Sequence, residues 1–105
     1  MQRLTIVRYK VKPEAVAENE ALSHAVFDRV RRDQPQGMSY GLFREADGQS
    51  FIHVFVNLRG DDSDVLTATP EFEAFTAEIG ARCLIAPQVT RESADLVDSY
   101  GFPTA

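Results

Sequence analysis

Of the two histidines in this chain, His53 stands in an unusual setting, because it interrupts the apolar run from Phe51 to Leu58. In an extended strand it shares one face with Phe51, Phe55 and Asn57, since alternate residues point the same way. A neutral imidazole has an ordinary pKa near 6.5, within reach of physiological pH, and could take a proton from a phenol. Asn57, two positions on, could donate from its amide to the oxyanion that such a step creates. The same histidine could instead belong to the core or to an interface, with its nitrogens satisfied by backbone groups or water.

The other candidates are weaker in chemistry and broader in role. Tyr9 and Tyr40 place phenols on two different extended segments, where either could orient a ligand hydroxyl or serve as an amphipathic edge of the core. Phe55, beside His53, and Phe72, in a later helical segment, offer aromatic surface to a small ligand. Arg8 and Arg44 could hold a carboxylate or superoxide if they faced inward, or close strand-edge ion pairs if they did not. His24 falls among Glu20, Asp28 and Arg31 on a helical wheel and reads as a solvated side chain. Cys83, with no neighbouring His or Lys to lower its pKa, reads as a small core residue. Neither paired cysteines nor a His-x-x-x-His spacing occurs, so no metal site is expected, and phosphate-cradling glycine motifs are missing. Asp61, Asp62 and Asp64 lack the glycine and the distant Glu of a calcium loop.

Six elements position these residues. Leu4 to Val11 is rich in branched and aromatic residues with Arg8 and Lys10 interleaved, the pattern of a half-buried strand. Pro13 ends it and opens a helix, where a missing N–H does no harm and Glu14 suits the positive end of the dipole. Ala15, Leu22, Val26, Phe27 and Val30 then recur on one side as far as about Arg32, and Gln34-Pro35-Gln36-Gly37 stops the helix. Met38 to Arg44 and Phe51 to Leu58 are two strands joined by Ala46-Asp47-Gly48-Gln49, whose Asp-Gly pair predicts a hairpin. The acidic stretch from Gly60 to Asp64 is expected as a surface loop that could run into a helical turn at Val65 and Leu66. Thr69-Pro70-Glu71 offers a capping oxygen, a first-turn proline and a carboxylate, and Phe72, Phe75, Thr76, Ile79 and Cys83 continue at helical spacing. Pro87 is expected to close this second helix, leaving Gln88 to about Tyr100 as a last extended segment.

Strand, helix, hairpin, helix, strand is the ferredoxin-like βαββαβ order, an α+β fold whose right-handed crossovers put both helices on one face of an antiparallel sheet. Yet Ile52, Val54, Val56 and Leu58, on the reverse of the third strand, are as apolar as the face that carries His53. A bare apolar sheet face of this size is unusual on a monomer, and a second copy of the same face is the economical cover. A homodimer is therefore expected, with an interface of roughly 1,000 Å² or more.

The 105 residues suit one domain, 1–105. Hydrophobic residues at 44% and charged ones at 26% place the chain among globular proteins rather than disordered ones. The net charge of −5 disfavours nucleic acid and anionic membranes as partners, because both require clustered Lys and Arg. The charges at Arg3, Arg8 and Lys10 break any apolar leader, and a single cysteine fits a reducing compartment, so a cytoplasmic location is expected.

Two stretches carry a resemblance to a known group. Val7-Arg8-Tyr9-Lys10-Val11-Lys12-Pro13-Glu14 is similar to the opening strand and helix start of the dimeric α+β barrel superfamily, and Thr69-Pro70-Glu71-Phe72-Glu73-Ala74-Phe75 resembles the second-helix start of its antibiotic-biosynthesis-monooxygenase-like members. The resemblance implies a small-molecule pocket between sheet and helices and, in some members, oxidation of polycyclic phenols by dioxygen with no cofactor. The chain departs from that pattern where a histidine is usual, with Glu71 and Leu66 in those places, and it has no tryptophan and no histidine after His53. The expectation is a cofactor-independent, monooxygenase-like homodimer that binds an aromatic or polyketide-like small molecule and oxygenates or isomerises it without a metal. The alternative is a non-enzymatic dimeric binding or interaction module of the same fold.

Overall fold

The computed structural model describes residues 2–59 and 66–102. The acidic stretch from Gly60 to Asp64, expected as a surface loop, lies outside the described residues. Strand β1 spans Arg3–Val11 and is followed by a 3-10 turn, Pro13–Ala15, and helix α1, Val16–Asp33. The hairpin strands are β2, Met38–Arg44, and β3, Ser50–Asn57; two short helices, α2 (Pro70–Thr76) and α3 (Ile79–Arg82), precede strand β4, Cys83–Ser93. The sheet order β2-β3-β1-β4, antiparallel throughout, is the ferredoxin-like α+β arrangement expected from the element order.

Local chemistry accounts for the turns. α1 ends where Gln34 adopts a left-handed conformation (φ 48°) and its N–H reaches the Val30 carbonyl at 2.8 Å. In the hairpin, Asp47 accepts from the backbone N–H groups of Gln49 (2.9 Å) and Ser50 (2.8 Å), while Gly48 supplies the positive φ of 74°. Thr69 caps α2 as its sequence position predicts, its Oγ1 accepting from the Phe72 N–H at 3.2 Å.

The second helical segment is shorter than its periodicity suggests. α2 stops at Thr76, α3 supplies one further turn, and Cys83 is the first residue of β4, paired with Val11, rather than the end of a helix. Pro87 accordingly lies inside β4 instead of closing a helix. The proline is tolerated because β4 is an edge strand and because the β1 register slips there, with Arg8 opposite Gln88 and Lys10 opposite Ile85.

Alternation along the strands then sorts the side chains. Tyr9, Val11 and Phe51 point toward the helices and pack with Ala15, Val26, Leu66 and Phe75 into one core. The intervening residues Leu4, Ile6, Ile52, Val54 and Val56 lie on the opposite face of β1 and β3, half-buried, with no helix among the described residues over them. Phe43, opposite Ile52 on β2, extends this apolar surface and is 60% exposed.

Candidate active site

Three strands and two helices converge on the surroundings of His53. Because Val7 pairs with His53 and Leu42 pairs with it from the other side, residues two positions away on each neighbour, Tyr9 and Tyr40, sit diagonally to it on the helix-facing side of the sheet. The Tyr9 hydroxyl lies 2.7 Å from His53 Nε2, and the Tyr40 hydroxyl 2.7 Å from His53 Nδ1. The imidazole is thus held at both nitrogens by phenols. Tyr9 is tied in turn to α1: Asn19 Nδ2 donates to its oxygen at 2.9 Å, and Ser23 Oγ donates to the Asn19 backbone carbonyl at 2.7 Å.

Aromatic packing fixes the rings. Tyr40 stacks on Phe27 with centroids 4.5 Å apart and planes 3° from parallel, and meets Phe55 edge-on at 6.0 Å. Phe75 approaches both His53 (5.4 Å) and Tyr9 (6.3 Å) from α2. Such contacts each add roughly 0.5–1.5 kcal/mol beyond burial and restrict the rings more than a polar contact alone would.

Burial sets the electrostatics. Removal from water disfavours the imidazolium and pushes the His53 pKa down to about 4, so the ring is neutral near pH 7. Desolvation likewise raises the Tyr9 phenol to about 12, opposed by the hydrogen bond from Asn19 and by the Arg82 guanidinium. The Tyr40 phenol is raised further, first by burial and then by Tyr9. Every member of the chain Asn19, Tyr9, His53, Tyr40 is therefore neutral at working pH.

In front of this chain lies a cavity of about 410 Å³ between the sheet and the α2–α3 segment. Its size is that of a small-ligand pocket. Tyr40, His53, Phe55 and Asn57 form its floor, Phe72, Phe75 and Ile79 its helical wall, and Pro87, Val89 and Arg91 of β4 one flank. Asn57 is buried at 6% exposure, and its Oδ1 accepts from the Arg59 N–H at 2.9 Å, which fixes the orientation of the amide. No group of three or more metal-ligating side chains occurs among the described residues.

The structure thus gathers His53, Asn57, Tyr40, Phe55 and Phe72 around one cavity, with Tyr9 behind His53. Arg8 and Arg44 lie elsewhere. Arg8 is exposed on the side of the sheet opposite to Tyr9, and Arg44, at the end of β2, reaches Glu20 of α1 at 2.6 Å. The arginines that do line the cavity are Arg3 and Arg91, on β1 and β4. Arg3 could have been found by parity, since it shares the strand face of Tyr9. Asn19 was missed as well. Its signal was a polar residue at helical spacing between Ala15 and Val26, that is, on the stripe that had to be buried.

The sequence matches no family model and no curated protein. Solved structures share the fold across most of the chain. Rv0793 from Mycobacterium tuberculosis is 22% identical, with a TM-score of 0.73 over 93% of this chain and all of that one. An antibiotic biosynthesis monooxygenase is 24% identical, with a TM-score of 0.69 over 90% of this chain and 98% of its own. A variant of SnoaB from Streptomyces nogalater, a cofactor-independent oxygenase, is 22% identical, with a TM-score of 0.66 over 91% and 95% of the two chains.

Proposed function

We propose that this chain, whose fold is that of the antibiotic-biosynthesis-monooxygenase-like dimeric α+β barrels, is a homodimer that binds a hydroxylated aromatic or polyketide-like small molecule and oxygenates it without a cofactor. The single observation that carries this reading is the aromatic cavity floored by a buried phenol–imidazole–phenol chain. Aromatic walls suit a flat polycyclic ligand, and a neutral hydrogen-bonded chain can handle a phenol proton without placing a charge in the core. An electron-rich phenolate can reduce dioxygen directly. Oxidation of a ring methylene to a carbonyl then balances: one oxygen atom enters the ketone, the other leaves as water, and the ligand supplies all the electrons. In this reading His53 acts in proton transfer and the Asn57 amide steadies the oxyanion.

The homodimer rests on the uncovered face of β1 and β3. Leu4, Ile6, Val54 and Val56, with Phe43 beside them, form an apolar surface that a copy of itself would cover. No helix among the described residues is long and apolar enough to cross a membrane. The lone cysteine supports a reducing compartment such as the cytoplasm as the site of action.

One observation favours a second reading, a non-enzymatic binding module. A histidine whose pKa is pushed down to about 4 is a feeble base toward a free phenol. An oxygen electrode separates the two. Hydroxylated polycyclic aromatics are added to the dimer and to His53→Ala; oxygen uptake that depends on His53 supports the oxygenase. Saturable binding with no uptake by any ligand would replace it with the binding module.

A further inference from the structure

The polar chain behind the cavity has a direction, and that direction defines what it can recognise. Tyr9 Oη has two close partners, Asn19 Nδ2 at 2.9 Å and His53 Nε2 at 2.7 Å, with the Ser23 hydroxyl a weaker third neighbour. Asn19 Nδ2 can only donate, so Tyr9 accepts from it. Its own proton then needs an acceptor in a region closed to water, since Tyr9 is 3% exposed and Asn19 is not exposed at all. His53 Nε2 is the acceptor in place, and a neutral imidazole offers one only when its proton is on the other nitrogen. Nδ1–H therefore donates to Tyr40 Oη at 2.7 Å. The Tyr40 proton, no longer needed within the chain, is left to the cavity that its ring lines.

The opposite direction leaves the core in debt. If Nε2 carried the proton, Tyr9 would accept from both neighbours and its hydroxyl hydrogen could turn only to Ser23 Oγ, a weaker contact than the 2.7 Å approach to His53, which makes this the costlier arrangement. Turning the Asn19 amide over does not help, because two amide N–H groups would then take the place of the single carbonyl oxygen, Oδ1, that now lacks a partner. Orphaned buried donors are rarer than orphaned acceptors.

From this geometry we infer that Asn19 is a remote positioning residue that holds His53 in its Nδ1–H form, so that Tyr40 faces the cavity as a hydrogen-bond donor. The site accordingly selects ligands that bring an oxygen acceptor, a phenolate, enolate or quinone carbonyl, to the Tyr40 hydroxyl. This rests on the reading of the cavity as an aromatic-ligand site. It makes Tyr40, rather than His53, the group that touches the ligand oxygen, with His53 and Tyr9 relaying the polarity that Asn19 sets. The depressed basicity of His53 agrees, because the ring is required to stay neutral.

The test reads the chain with and without a ligand. In ligand-free, 15N-labelled protein, long-range proton–nitrogen correlation is expected to find His53 protonated at Nδ1 over Nε2 by more than ten to one. A predominant Nε2–H form overturns the inference. Asn19→Asp, which can only accept from Tyr9, is expected to move the proton to Nε2, and a proton that stays on Nδ1 removes Asn19 from its role; where that variant fails to fold, the wild-type spectrum still decides the direction. With 2-naphthol as probe, the bound form is expected to ionise about one pH unit lower than the free one, a tenfold preference for naphtholate, and Tyr40→Phe is expected to bind the probe without that preference. A naphthol held neutral, or a preference that survives Tyr40→Phe, contradicts the donor role. Failure of 2-naphthol and of naphthalene to bind would count against the aromatic-ligand reading and its oxygen-acceptor ligands, leaving the direction of the chain to the ligand-free spectrum.

Discussion

Acidification should destabilise this protein through His53. The group is buried at 5% exposure, and its folded pKa of about 4 lies below the ordinary value of 6.5. As pH falls below 6.5 the unfolded chain takes up the proton while the folded chain refuses it, so the contribution is whole above pH 6.5 and is lost progressively toward pH 4. At 1.36 kcal/mol per pH unit the loss comes to about 3 kcal/mol, a large share of the total of about 5–15 kcal/mol that holds a domain together. The assay is urea unfolding followed by circular dichroism at fixed protein concentration, in half-unit steps from pH 7 to pH 4, for the wild type and His53→Gln. The variant starts from a lower stability, because both phenols lose their partner, but its curve should be flatter by about 3 kcal/mol over that range. Parallel curves would refute the claim that a neutral, water-excluded imidazole sits at the centre of the site.

Further outcomes follow from other parts of the structure. Val54→Arg places a charge in the middle of the uncovered sheet face, and sedimentation should find the proposed dimer converted to monomer or to aggregate; a dimer unchanged by the charge would put the interface elsewhere. Thr69→Ala removes both the cap on the Phe72 N–H and the bond to the Leu66 carbonyl, and should cost about 1 kcal/mol in chemical denaturation. Phe75→Ala strips the wall that touches His53, Tyr9 and Phe72, and should cost about 3–5 kcal/mol and weaken binding of any aromatic ligand together with stability.

Much of this architecture could be read from residue order because local and global signals agree. Alternation in Phe51 to Leu58 placed His53 and Asn57 on one face and a second apolar set on the other, and the Asp47-Gly48 pair and Thr69 cap each do what their side chains dictate. The end of the second helix was not legible. Cys83, Leu84 and Ile85 fit helical spacing and a strand equally well, and Pro87 reads as a helix stop unless β4 is known to be an edge.

For the site, residue type pointed to His53, Tyr9 and Tyr40, but their meeting depends on strand register, which only the sheet supplies. Parity alone could have set Arg8 apart from Tyr9 and brought Arg3 in, since neighbours on a strand face opposite ways. Arg44 shares the parity of Tyr40, yet lies at the strand end where Glu20 takes it. Asn19 stayed hidden because Glu18 and Glu20 flank it and make the segment look solvated, although its place on the helix turns it into the core.

A flat aromatic molecule should lie against the phenol–imidazole floor. Proton–carbon NMR during titration with 2-naphthol should shift the ring signals of His53, Phe55 and Phe72 saturably, while the methyl groups of Val54 and Val56 on the far face stay still. Saturation that moves only those valines, with the imidazole unperturbed, would place the ligand on the open sheet face and contradict the site.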